Sequence, residues 1–218
     1  MARLTYPRSD GARPAPLPPE HRTVGQLIAE TIRLYGDSFL RALPTGVPPT
    51  ILALIAAHVS YAVSIAFAGV FLSSSYVYAT TIVLRRVPSR KRLVLAWLAG
   101  VLAFAPVPLL VRAFILPGLA WLAAVGLVVP VLVAEELGFR ASFVRAWQLA
   151  RADYLHAFGS IVTLGIVVLL TQGVLAFLLR GNADVAIETA FVLAGIVLSP
   201  LLFVGAALLY VDQEARVE

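Results

Sequence analysis

The chain contains no cysteine, a single methionine and few charges: Asp, Glu, Lys and Arg together make up 13% of its 218 residues. Without thiols there are no disulfides and no thiolate metal ligands, although a thiol-free chain suits any redox compartment. So little charge beside 60% hydrophobic residues and a mean hydropathy of +0.90 excludes water as the solvent for most of the chain. Catalytic signatures are missing as well. There is no GxSxG, Walker A or GxGxxG, and none of the three histidines, His21, His58 and His156, stands at HExxH or ExxH spacing. The residues therefore point to no enzyme activity, no metal and no cofactor.

What is present is long apolar runs. No charged residue occurs in 44–84, 93–111, 113–134, 157–179 or 189–211. A membrane-spanning helix needs about 20 apolar residues, so each of the last four runs is about one span. The first would measure roughly 60 Å as one helix, twice the hydrocarbon thickness, and so reads as a hairpin turning near Ala68-Gly69. The expected fold is an all-α membrane protein with six spans, at approximately 48–67, 69–87, 93–111, 117–134, 157–179 and 189–211, within a domain covering 44–211.

The basic residues test this count independently. Six spans place fifteen of the seventeen Lys and Arg residues on the side of the termini, including Arg85, Arg86, Arg90, Lys91 and Arg92, and leave only Arg112 and Arg180 opposite. By the positive-inside rule both termini are expected in the cytoplasm. The net charge of +5 thus answers to membrane sidedness, and no nucleic-acid partner is implied.

Residues 1–21 are basic and proline-rich with no apolar core, so they read as a disordered cytoplasmic arm; 212–218 form a short tail. Within 22–43, Thr23 and Gln26 have capping-box spacing. Val24, Ile28, Ile32, Tyr35 and Phe39 share one face there, opposite Gln26, Glu30, Arg33, Asp37 and Arg41. Residues 137–154 repeat the design, with Phe139, Phe143, Trp147, Ala150 and Tyr154 opposite Arg140, Arg145, Gln148 and Arg151. Two amphipathic in-plane helices are expected, one N-terminal and one central, with packing on the cytoplasmic ends of the bundle as the alternative for the first. Glu135 and Glu136 then mark an interfacial acid pair where the fourth span ends, with Glu136 and Arg140 at i and i+4.

Several of these pieces carry a resemblance. They are Leu34-Tyr35, Leu116-Pro117-Gly118, Pro130, Glu135 or Glu136, Ala146-Trp147 with Leu149, and Leu209-Tyr210 with Asp212, Arg216 and Glu218. Their order resembles the bacterial six-helix membrane domain fused to some glycerophosphodiester phosphodiesterases, together with its stand-alone relatives. The resemblance covers nearly the whole chain after residue 22, apart from a terse loop between spans two and three. It implies the architecture and a bacterial inner-membrane location. The phosphodiesterase activity of that family belongs to a separate soluble barrel and is not implied for this chain.

Two function classes remain. The first is a non-enzymatic scaffold or accessory subunit whose basic rim engages anionic membrane lipid, a partner membrane protein or a second copy of itself. Arg112, Arg140, Arg145 and Arg151 are its candidate lipid-phosphate contacts. The alternative is a small permease or lipid-handling transporter. Its pocket would lie among helices kinked by Pro106, Pro108, Pro130 and Pro200, near a polar pair formed by His58 and Tyr61, since an intramembrane ionisable residue is a functional candidate. Gly195 with Ser199, and Gly159 with Thr163, provide small-residue spacing for close helix packing. Ser73-Ser74-Ser75 and Gly181-Asn182 read as outer turns.

Overall fold

A computed structural model describes residues 18–56, 58–135, 137–180 and 184–217. Glu136, Gly181-Asn182, Glu218 and the first 17 residues of the arm lie outside the described residues. The described residues form α1 (Val24–Asp37), α2 (Phe39–Ala42), α3 (Val47–Ala56), α4 (Tyr61–Leu84), α5 (Arg90–Phe104), α6 (Val107–Ala113), α7 (Ile115–Val125), α8 (Val128–Ala134), α9 (Phe139–Ala152), α10 (Tyr154–Leu178) and α11 (Asp184–Ala215). Among them there is no strand. Among the described residues, six stretches are long and apolar enough to cross a membrane: Phe39–Ala56, Tyr61–Leu84, Arg90–Ala113, Ile115–Ala134, Tyr154–Leu178 and Val185–Ala215. The protein is a six-helix multi-pass membrane protein.

The first hairpin turns earlier than the glycine at 69 suggests. The reversal lies at 58–60, between α3 and α4, and Ala68-Gly69 is buried inside α4. Gly69 serves packing instead: a Cβ there would stand 3.2 Å from both the Val101 side chain and its carbonyl, so its absence lets α4 and α5 approach. Ser73-Ser74-Ser75 also lies within α4. Ser73 and Ser74 donate to the carbonyls of Gly69 and Val70, four residues back, at 2.5 and 2.8 Å. A hydroxyl that closes its bond on its own helix is tolerated in an apolar span. Ser74 also accepts from the Trp97 indole at 3.0 Å.

In lipid, helices associate through close packing more than through the hydrophobic effect. The small face Ala96, Ala99, Gly100 and Ala103 of α5 is buried against α4 and α8, and a Cβ on Gly100 would come within 2.8 Å of the Ser73 hydroxyl. Between these helices α8 is the most enclosed element, with Val128, Val129, Val131, Leu132 and Val133 all buried.

Prolines interrupt three spans, and aromatic side chains donate to backbone carbonyls beside two of the breaks. Pro200 offers no N–H to the Ile196 carbonyl. Gly46 nests on that carbonyl, where a Cβ would lie 2.0 Å from the oxygen, and Tyr35 donates to the adjacent Val197 carbonyl at 2.7 Å. Where Pro106 separates α5 from α6, the Trp121 indole donates to the Ala103 carbonyl at 2.8 Å and Tyr61 to that of Pro108 at 2.7 Å. These are the neighbouring-helix partners that non-ideal backbone in a membrane requires.

The two amphipathic helices, α1 and α9, pack against the bundle. α1 begins with the expected capping box, Gln26 N–H on Thr23 Oγ1 and Thr23 N–H on Gln26 Oε1. It then packs lengthwise on α10 and α11. Arg22 meets Asp212 at its start, and Tyr35 meets Val197 near its end. Those partners are 15 residues apart on α11, about 22 Å at 1.5 Å per residue, so α1 runs antiparallel beside α11 rather than across its end. Its buried stripe is Leu27, Thr31 and Tyr35, while Ile32 is 52% exposed. α9 likewise lies against α8 and α7, burying Ser142, Ala146, Leu149 and Ala150; Trp147 faces outward.

Candidate functional site

Buried polar side chains concentrate where the two described chain ends meet. Residues 19–21 form a single 3-10 turn packed on α11, which brings Arg22 to the end of that helix. Arg22 Nη1 lies 2.8 Å from Asp212 Oδ1, with the Asp212 side chain fully buried and that of Arg22 9% exposed. His156 Nε2 approaches the other carboxylate oxygen at 3.8 Å. Asp153, between α9 and α10, caps α10 by accepting from the His156 N–H at 3.0 Å and binds Arg216 at 2.7 Å. Its carbonyl accepts from Gln213 at 3.1 Å, and Arg216 donates to the Arg22 carbonyl at 2.7 Å. The result is a clasp joining the start of α1, the α9–α10 corner and the end of α11. Two arginines balance two aspartates, with the Arg22–Asp212 pair buried and the Arg216–Asp153 pair partly exposed.

A second cluster lies beside it. The Glu135 carboxylate accepts from Arg145 Nε at 3.2 Å, and the single Tyr210 O–H is shared between Glu135 at 3.2 Å and Glu214 at 2.8 Å. Arg86 donates to the Ala134 carbonyl, and Arg92 to the Glu135 carbonyl at 2.7 Å. These guanidiniums cap the C-terminal end of α8, where the helix dipole favours positive charge. Burial holds the Tyr35 phenol above its ordinary pKa, keeping it a hydrogen-bond donor to α11.

The residues singled out from sequence are dispersed. His58 is exposed in the turn between α3 and α4, not within a span, because the hairpin reverses there. Tyr61 bonds Pro108 and lies under the Arg112 guanidinium at 4.6 Å, so its neighbours come from α6. The polar pocket expected around His58 and Tyr61 is thus corrected to an exposed turn beside a Tyr61–Arg112 contact. Arg140 is exposed on α9; Arg145 is tied to Glu135, and Arg151 stands 5.9 Å over the Trp147 ring. Glu135 carries out more than a helix exit, since it links α8, α9 and α11.

Sequence reasoning missed the clasp. Asp212 and His156 each sit one residue outside a charge-free run, where a polar residue reads as a helix leaving the membrane. Pairing across 190 positions between Arg22 and Asp212 leaves no local signal.

Chemically the clasp is a tie. Ser160 lies one turn beyond His156, but its buried hydroxyl makes no hydrogen bond, so no nucleophile–base contact with the imidazole exists. Among the described residues no group of three His, Cys, Asp or Glu is placed to hold a metal ion. Comparison with known proteins returned no matching family model, no matching curated protein and no matching solved structure.

Proposed function

We propose that this protein is a non-enzymatic membrane scaffold or accessory subunit whose basic end engages anionic lipid or a partner membrane protein. The observation that carries this reading is the division of labour among its polar residues. The buried Asp212 and the partly buried Asp153 and Glu135 bind arginines that tie helices together. The same end keeps Arg85, Arg90, Lys91, Arg140 and Arg151 exposed. Exposed cations beside apolar spans attract anionic headgroups, each worth about 1 kcal/mol near such a surface. The permease reading loses its anchor, because His58 lies in an exposed turn.

The stand-alone six-helix architecture resembling the phosphodiesterase-linked membrane domain belongs to this proposal, as does its orientation. The basic end faces the cytoplasm of a bacterial inner membrane, following the positive-inside rule. Reporter tags at residues 1 and 218 are expected to be cytoplasmic, and one inserted between Asn182 and Asp184 external. For the function, the replacement Arg90→Glu with Lys91→Glu should remove the preferential co-purification of anionic over zwitterionic lipid while leaving the protein folded. Identical bound lipid in wild type and variant would contradict the reading.

A further inference from the structure

We infer that the elbow between α1 and α2 is an interface with a second copy of this chain, closed by reciprocal ion pairs between Asp37 of one copy and Arg41 of the other. The elbow lies away from the exposed cations of the basic end, so the interface stands whether or not those engage lipid.

The elbow sits at bilayer depth. α1 starts beside the basic ends of spans five and six, where Arg22 pairs with Asp212 and Val24 lies against Gly159. It finishes well inside them. Tyr35 donates to the Val197 carbonyl at 2.7 Å, and Gly46, just past the elbow, nests on the carbonyl of Ile196. Counted from the basic end, Val197 is past the middle of the charge-free run 189–211. A run of that length is about what crosses the hydrocarbon layer.

Two opposite charges are exposed at that depth and do not answer each other. Ser38, at φ −118° and ψ 21°, ends α1 between Asp37 and Arg41. Among the described residues neither side chain forms an ion pair or a hydrogen bond. Glu30 and Arg33, on the same helix, close on each other at 2.9 Å. A charge facing hydrocarbon is costly, and within a membrane it marks a partner or a water-filled path.

The arrangement is its own complement. An acid and a base one turn apart can each meet the opposite charge of a second copy across a two-fold axis, so that one contact is made twice. Arg41 is about 6 Å along the chain axis from Asp37, a step that the long guanidinium side chain spans. Asp37, Leu40, Arg41 and Pro44, spaced i, i+3, i+4 and i+7, are all exposed, Leu40 at 81%. A Cβ on Gly36 would meet nothing within 4 Å, which leaves room for close approach of a neighbouring helix.

The test uses the full chain in native membranes. Because the chain has no cysteine, Leu40→Cys reports without background. Mild oxidation should give a disulfide-linked dimer on a non-reducing gel, and Leu170→Cys, exposed on α10, should not. Adding Asp37→Arg or Arg41→Asp to Leu40→Cys should lower the dimer yield about tenfold, since each exchanges ion pairs for like-charge contacts. Co-expressing the two reversed chains should restore the dimer, because the acidic chain then faces the basic one at both contacts. Arg41→Gln, a milder change for use where a reversal lowers membrane abundance, should reduce the dimer at unchanged abundance.

A Leu40→Cys dimer no more abundant than that of Leu170→Cys would overturn the interface, as would a dimer indifferent to Arg41→Gln and to both reversals. So would an Asp37→Cys thiol labelled by an impermeant maleimide as readily as Arg90→Cys, the result expected if water or headgroups occupy the elbow instead.

Discussion

The basic end of the bundle and its far half hold their helices by different means. Toward the basic end, α8 is enclosed on all sides, α11 is buried from Gly195 to Gln213 on its inner face, and charged side chains link helices far apart in sequence. Toward the far end, α10 and α11 continue as a hairpin whose Leu170, Val174, Phe177, Leu178, Val185 and Leu193 are exposed. Tyr154–Leu178 is buried at only a few positions, whereas more than half of Ile115–Ala134 is buried. Exposed leucine is stable in lipid, so the far half needs no partner to be satisfied. The basic end meets water and headgroups, where ion pairs and caps define one arrangement. Specific structure is therefore concentrated where the proposed function lies.

Substitutions should separate the two regions in a definite order. Asp212→Ala is expected to be the most damaging, because it breaks the buried ion pair with Arg22. Breaking a buried pair in this way costs about 3 to 5 kcal/mol, read as a large fall in Tm in detergent and in membrane yield. Gly46→Ala comes next. Its Cβ would collide with the Ile196 carbonyl at the Pro200 kink, and forced overpacking costs about 1 to 3 kcal/mol. Tyr35→Phe removes one hydrogen bond to the same kink, about 0.5 to 1.5 kcal/mol. Leu170→Ala, on the exposed far half, should fall within about 0.5 kcal/mol of wild type. If Leu170→Ala cost as much as Asp212→Ala by thermal unfolding, the two halves would not differ as described.

The six spans were legible because absence of charge over some 20 residues is a long-window property that local detail does not disturb. The turn of the first hairpin was not, since glycine marks turns in water but close helix contact in lipid. Gly69 does the second. The face of α1 was misjudged for a related reason. An apolar Ile32 is satisfied facing outward, whereas Thr31 turns inward and closes its own bond on the Leu27 carbonyl at 2.8 Å. Of the site, Glu135 and Arg145 could be named from sequence. The Arg22–Asp212–His156 clasp could not, because its members are separated by most of the chain and each resembles an ordinary helix end.

The central claim is that α1 lies lengthwise along α10 and α11, clasped to them at the basic end. The chain has no cysteine, so an introduced pair reports without background. Val24 and Gly159 are in contact: a Cβ on Gly159 would stand 3.5 Å from the Val24 side chain, within reach of a disulfide. Val24→Cys with Gly159→Cys, oxidised in native membranes and titrated with a maleimide, should lose both reactive thiols within one chain. A control pairing Val24→Cys with Gly173→Cys, further along α10, should keep both. Persistent labelling of the first pair, or equal loss in the control, would contradict the account.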